Sequence, residues 1–178
     1  MRSQSQPQES ELAAFYLGRA PHPGGMTIDQ AWALTDEELD AGDAVIAWLF
    51  PINRGDTNRG PVVSSHEVEA FAGDPELRRR LMKSFTRMLA YYGFDIRTST
   101  AGLRVTPAAD FVERSRRWMF PRSPHYKRIT RILESVARLG LREAARPFLR
   151  ALRSVYAANQ GTVGNTTLVY WTDAVEQE

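Results

Sequence analysis

The stretch that decides the fold is SPHYKRITRILESVARLG, residues 123–140. Ile129, Ile132, Val136 and Leu139 recur at three- and four-residue steps, which lines them along one side of an α-helix. Ser123-Pro124 supplies a start, and Gly140 supplies a stop. Lys127, Arg128 and Arg131 are threaded between the aliphatic residues. The apolar side reads as core. The cations either hold an anion, pair with acids elsewhere in the chain, or face water.

The same period continues on both sides. Asp74 caps a helix with Pro75 at its first position, and Leu77, Leu81, Phe85, Met88 and Tyr92 form its stripe up to Gly93. Residues 141–158 carry Phe148, Leu149, Leu152, Val155 and Tyr156 on one face, with Pro147 predicted to break or restart the helix. Toward the N-terminus, helices are predicted from Glu11 to Leu17 and from Thr27 to Trp32. A third is predicted from Thr35 to Phe50, where Thr35 and Glu38 form a capping box and Pro51 stops the helix. Ser64 and Glu67 form another box, opening a helix to about Ala72.

The period changes to two in FDIRTSTAGLRVTP (94–107), which predicts a β-hairpin. Thr106-Pro107 then opens a helix to about Trp118. TLVYW (167–171) has strand propensity. The expected fold is mainly α: a single-domain bundle of about six to eight helices with one small hairpin. Residues 1–10 are expected as a disordered tail, 11–158 as the domain, and 159–178 as a strand-like C-terminal extension.

Composition narrows the function. With 43% hydrophobic and 25% charged residues among 178, the chain is an ordinary globular domain. It has no cysteine, so disulfides, thiolate metal sites and a cysteine nucleophile are excluded. His22, His66 and His125 lie far apart without metal-ligand spacing. No glycine-rich phosphate loop or nucleophile elbow occurs. No metal and no cofactor are expected; no catalytic constellation is visible in the sequence, and an enzyme of unknown class stands as a second alternative to a binding domain. The N-terminus lacks the apolar run of a signal peptide, and no apolar run reaches the roughly 18 residues of a membrane span. A soluble, cytoplasmic protein is expected.

The formal charge of +2 hides a polarity. Residues 1–76 hold 4 basic and 13 acidic side chains, whereas residues 77–178 hold 19 and 8. Two readings follow. Either the halves face each other in one fold, or the basic half binds an anion. Arg142, Arg146, Arg150 and Arg153 follow helical spacing and would be the nucleic-acid-binding stripe under the second reading. The acids Asp36, Glu37, Glu38 and Asp40 read as a solvated helix start. Trp32, Trp48, Phe50, Tyr91, Tyr92, Trp118, Tyr170 and Trp171 sit beside aliphatic residues and read as core packing.

Several of these segments together resemble a known family. Phe15-Tyr16, WLFPINRGDTNRGP (48–61), MLAYYG (88–93) and RITRIL (128–133) followed by Leu139-Gly140-Leu141 resemble, in this order, the conserved region of the opioid growth factor receptor family. The resemblance runs from residue 15 to about 141. It implies a non-enzymatic ligand-binding domain, since the vertebrate members are receptors for an opioid pentapeptide. It also implies a short member consisting mainly of this domain. The chain departs from the family pattern where Ser-Pro-His-Tyr-Lys precedes Arg128 and where Ala41-Gly42-Asp43 leads into the WLFP segment.

A peptide or small-molecule ligand is therefore expected between the WLFP loop and the RITRIL helix. Trp48, Asn58, His125, Arg128 and Arg131 are its candidate residues: Asn58 to hold the loop, the cations to meet an anion. The competing expectation for Arg128 and Arg131 is an ion pair to Asp43 or Asp56 that ties the halves together.

Overall fold

The computed structural model describes residues 9–53 and 60–177. Asp56 and Asn58 therefore lie outside the described residues, as does most of the tail expected at 1–10. The chain is mainly helical with one two-stranded antiparallel hairpin. The helices are α1 (Glu11–Tyr16), α2 (Ile28–Ala33), α3 (Asp36–Ala41), α4 (Asp43–Leu49), α5 (Ser65–Gly73), α6 (Pro75–Tyr92), α7 (Phe111–Ser115), α8 (His125–Val136), α9 (Arg142–Ala158) and α10 (Asn165–Glu176). The strands β1 (Phe94–Ser99) and β2 (Gly102–Pro107) pair from Phe94↔Pro107 to Ser99↔Gly102.

The starts are those their caps dictate. Thr27, Thr35 and Ser64 each accept from a backbone N–H of the first turn, and Gln30, Glu38 and Glu67 reach back in capping boxes. Asp74 caps α6 over Pro75.

Four expectations are corrected. The single helix expected over 35–50 is two, because Gly42 leaves helical geometry at φ −91°, ψ 46°. A Cβ there would stand 2.9 Å from the Glu38 carbonyl oxygen, so the break needs glycine for its own backbone. The helix expected at Thr106-Pro107 starts only at Phe111, since β2 runs through Pro107 to complete its pairing with Phe94. Helix α9 runs unbroken through Pro147. The missing N–H costs about 3 kcal/mol. Burial of Phe148, Leu149 and Leu152 on the same helix returns about 1.5–3 kcal/mol each and outweighs it. Finally, TLVYW is helix, not strand: it lies in α10, whose Leu168, Trp171 and Val175 turn inward at i, i+3 and i+7. Burial of Trp171 and Val175, both fully enclosed, overrides the β-propensity of the segment.

Helix α8 leads into α9 through a kink at Ala137–Leu141, where Gly140 takes φ +92°. That conformation is the helix stop expected of this glycine. β2 lies along α9, α10 packs on both α8 and α9, and α5 meets the kink. The core is an aromatic chain in edge-to-face contact. Phe85 meets Phe148 at 5.8 Å, and Phe148 meets Phe94 at 5.3 Å. Trp118 meets Tyr92 at 5.6 Å and Tyr126 at 6.5 Å, and Tyr126 meets Trp171 at 5.8 Å. Among the aromatics expected in the core, Tyr170 is the exception, at 59% exposed.

Candidate ligand-binding site

The acidic first half and basic second half meet along a seam. Each helix there contributes residues at helical spacing, so two polar groups project from one face. Helix α3 supplies Asp36 and Asp40, and the break at Gly42 turns the chain so that α4 begins with Asp43. Helix α6 supplies Arg87 and Tyr91, α7 and its following turn supply Arg114 and Arg117, and α8 supplies His125 and Arg128.

Asp36 lies within 2.9 Å of Arg87, 2.6 Å of Arg114 and 3.3 Å of Arg117. The acid cluster is thus more than a solvated helix start: Glu38 caps α3, while Asp36 joins three arginines of the other half. Arg128, whose side chain is 11% exposed, donates to the carbonyls of Leu39 (3.2 Å) and Asp40 (2.9 Å) and to Asp43 Oδ1 (2.8 Å). It therefore holds the C-terminal carbonyls of α3 and the start of α4 together.

His125 Nε2 is 3.1 Å from Asp40 Oδ1, which also accepts from the Tyr91 hydroxyl at 2.8 Å. Burial, helped by the Arg128 charge, lowers the His125 pKa below its ordinary 6.5. The neutral ring then donates its Nε2 proton to the Asp40 carboxylate. Burial, followed by the Asp40 carboxylate, raises the Tyr91 pKa, so the hydroxyl stays a donor.

Of the residues expected to bind a ligand, the fold brings His125 and Arg128 together beside Asp40 and sets Trp48 apart from them in the core. Asn58 lies outside the described residues. Trp48 is buried, stacked on His22 at 6.1 Å and edge-on to Phe15 at 5.5 Å. His125 and Arg128 belong to the seam. Arg131 Nε donates to the Phe50 carbonyl at 2.8 Å, pinning the end of the WLFP segment to α8. The Arg128–Asp43 pair is one of the two internal pairings foreseen as the alternative to ligand binding.

A separate opening lies one helical face away. Asn53, Thr130 and Glu134 of α8, Arg138 of the kink, and Tyr170 and Asp173 of α10 line a groove of about 470 Å³. Its walls offer two acids, two bases (Arg138 and Arg142), a hydroxyl, two amides (Asn53 and Gln177) and an exposed phenol ring. Arg138 Nε is buried there with no hydrogen-bond partner among the described residues. The sequence signal for Thr130, Glu134 and Arg138 is one i, i+4, i+8 line, less conspicuous than the arginines of RITRIL. The strand propensity of 167–171 conceals the helical i, i+3 spacing of Tyr170 and Asp173.

The stripe Arg142, Arg146, Arg150 and Arg153 is largely spent within the fold. Arg142 donates to the carbonyls of Val175 and Gln177 at the end of α10, Arg153 pairs with Glu176 at 2.9 Å, and Arg146 pairs with Glu143. Arg150 is exposed. Arg142 and Arg153 clamp the C-terminal helix, which favours the fold-internal reading for these two over nucleic-acid binding.

The match to known sequences decides the family. The family model for the opioid growth factor receptor conserved region matches residues 5–178. The chain belongs to the opioid growth factor receptor conserved-region family. The match extends through α10. The chain is 33% identical over 132 residues to the opioid growth factor receptor of Rattus norvegicus, covering 72% of this chain and 22% of that protein. It is 31% identical over 132 residues to the Homo sapiens receptor, covering 72% and 19%. It is 30% identical over 142 residues to opioid growth factor receptor-like protein 1 of Mus musculus, covering 76% and 30%. The conserved-region chain thus spans under a third of the length of these relatives. No solved structure matches it. Among the described residues, no helix is long and apolar enough to cross a membrane.

Proposed function

We propose that this chain is a non-enzymatic ligand-binding domain and that the groove between Asn53, α8 and α10 receives a peptide or small molecule. The observation that carries this reading is position. The groove opens between Asn53, two residues past the WLFP segment, and Thr130 within RITRIL, the two segments that carry the family resemblance. Its mixed charges suit a polar ligand with both a donor and an acceptor end. Arg131 serves by holding the end of the WLFP segment, and His125, Arg128 and Trp48 serve as framework. The relatives are named as receptors, which agrees with a binding role.

Amide chemical shifts during titration with an opioid pentapeptide, and with a panel of small zwitterions, test the reading. Shifts should centre on Thr130, Arg138, Tyr170 and Asp173. Tyr170→Ala and Arg138→Ala should weaken binding by about tenfold each, a loss of roughly 1.4 kcal/mol. Binding that survives both substitutions, or shifts confined to the Asp40 seam, would overturn it.

A further inference from the structure

Residues 114–133 contain seven Lys or Arg and no Asp or Glu. The fold divides these cations into two sets. Arg114, Arg117 and Arg128 are ion-paired to Asp36, Glu37 and Asp43, and Arg131 bonds the Phe50 carbonyl. Arg116, Arg122 and Lys127 are exposed and form no ion pair among the described residues. Phe120 stands among them, 41% exposed, and Val112 on α7 just before them is 69% exposed.

The turn that presents Phe120 is unusual. Ser123 N–H donates to the Phe120 carbonyl at 3.1 Å, closing the turn Phe120-Pro121-Arg122-Ser123. Pro121 fixes its own φ near −65°, and Arg122 takes φ +60°, which makes this a type II turn. That third position favours glycine, and Arg122 is the one non-glycine residue with positive φ among the described residues. The turn is held from beneath. The Tyr126 hydroxyl donates to the Phe120 carbonyl at 2.9 Å, Ser123 Oγ accepts from the His125 N–H at 3.3 Å, and Trp118 Nε1 donates to the Tyr92 carbonyl at 3.1 Å. A rigid, strained corner thus displays one large apolar side chain beside a cation.

We infer that this corner, Phe120 with Arg116, Arg122 and Lys127, docks the domain on an anionic lipid bilayer, Phe120 entering the interface while the cations meet lipid headgroups. Charge complementarity points to an anionic surface. The outward residues of the corner are Phe120, Pro121, Arg122 and Pro124, with Ser123 buried. Apolar and cationic groups side by side suit a bilayer interface, where Phe120 is withdrawn from water as well as the cations being matched.

Cosedimentation of the full chain with vesicles tests this. Vesicles of phosphatidylcholine with phosphatidylserine should bind it, and phosphatidylcholine alone should not. Arg116→Ala, Lys127→Ala and Arg122→Gly should each weaken binding about fivefold. Phe120→Ser should weaken it about tenfold. Arg122→Gly separates docking from folding, because glycine relieves the positive φ: the Tm should hold or rise while binding falls. Equal binding to neutral vesicles, no binding at low salt, or full binding by folded Arg122→Gly would each overturn the proposal. So would displacement of the vesicles by a short RNA or DNA duplex whose own binding is indifferent to Phe120→Ser.

Discussion

The seam and the groove both sit against α8, yet they treat charge in opposite ways. In the seam, Asp36, Asp40 and Asp43 face four arginines, a histidine and a tyrosine at hydrogen-bond or ion-pair distance. In the groove, Arg138 Nε is buried without a partner and Tyr170 stands open. The difference teaches that a motif's arginines need not be its binding residues. Arg128 and Arg131 are committed to carbonyls and acids of the first half of the chain, and the less conspicuous side of the same helix lines the groove.

The largest expected effect lies at α10, the groove's outer wall. Trp171→Ala removes a fully buried indole that donates to the Tyr126 carbonyl, and should cost about 4 kcal/mol by thermal or urea unfolding. It should also abolish groove binding. A mutant that keeps ligand affinity would detach α10 from the site.

Next comes Arg128→Ala. It strips the seam of three hydrogen bonds from a nearly buried cation and should cost about 3 kcal/mol. Ligand affinity at temperatures where the mutant stays folded should not change. A large affinity loss with little change in Tm would return Arg128 to the site and break the contrast.

The seam should also respond to pH in a defined direction. The His125 pKa is lowered in the fold by burial and by Arg128, so the unfolded chain takes up the proton first. Stability from this group is present above pH 6.5, its ordinary pKa, and falls as pH drops through that value toward the lowered one. Urea unfolding at a series of pH values should show the decline, and His125→Gln should flatten part of it. An unchanged slope in the variant would remove His125 as its source.

The smallest effects on stability belong to the groove and the surface. Tyr170→Ala should change unfolding free energy by less than about 0.5 kcal/mol while weakening ligand binding. Arg150→Ala, on an exposed face, should change neither.

Much of the fold was readable in advance because its cues are local. The capping boxes at Thr35 and Ser64, Pro75 at the start of α6 and Gly140 at the end of α8 each act within one helical turn. The hairpin was readable for the same reason, since its alternation and its Thr100-Ala101 turn are contiguous. Reading failed where a distant partner decides. Pro147 stays helical because buried neighbours on α9 pack against β2 and α6. Likewise, α10 is helical because Trp171 has Tyr126 to rest on.

By itself, then, the sequence determined the helical character, most helix starts, the hairpin and the family, because propensity, caps and periodicity are carried by neighbours a few residues apart. It also held the charge polarity of the two halves. Only the tertiary structure decided what that polarity is for. The pairing of Asp36 with Arg87, Arg114 and Arg117, and of Asp43 with Arg128, joins residues about 50 to 85 positions apart, a distance over which no local rule operates. The groove depends on the same kind of information, since Asn53, Glu134 and Asp173 share a wall only after three distant segments have packed.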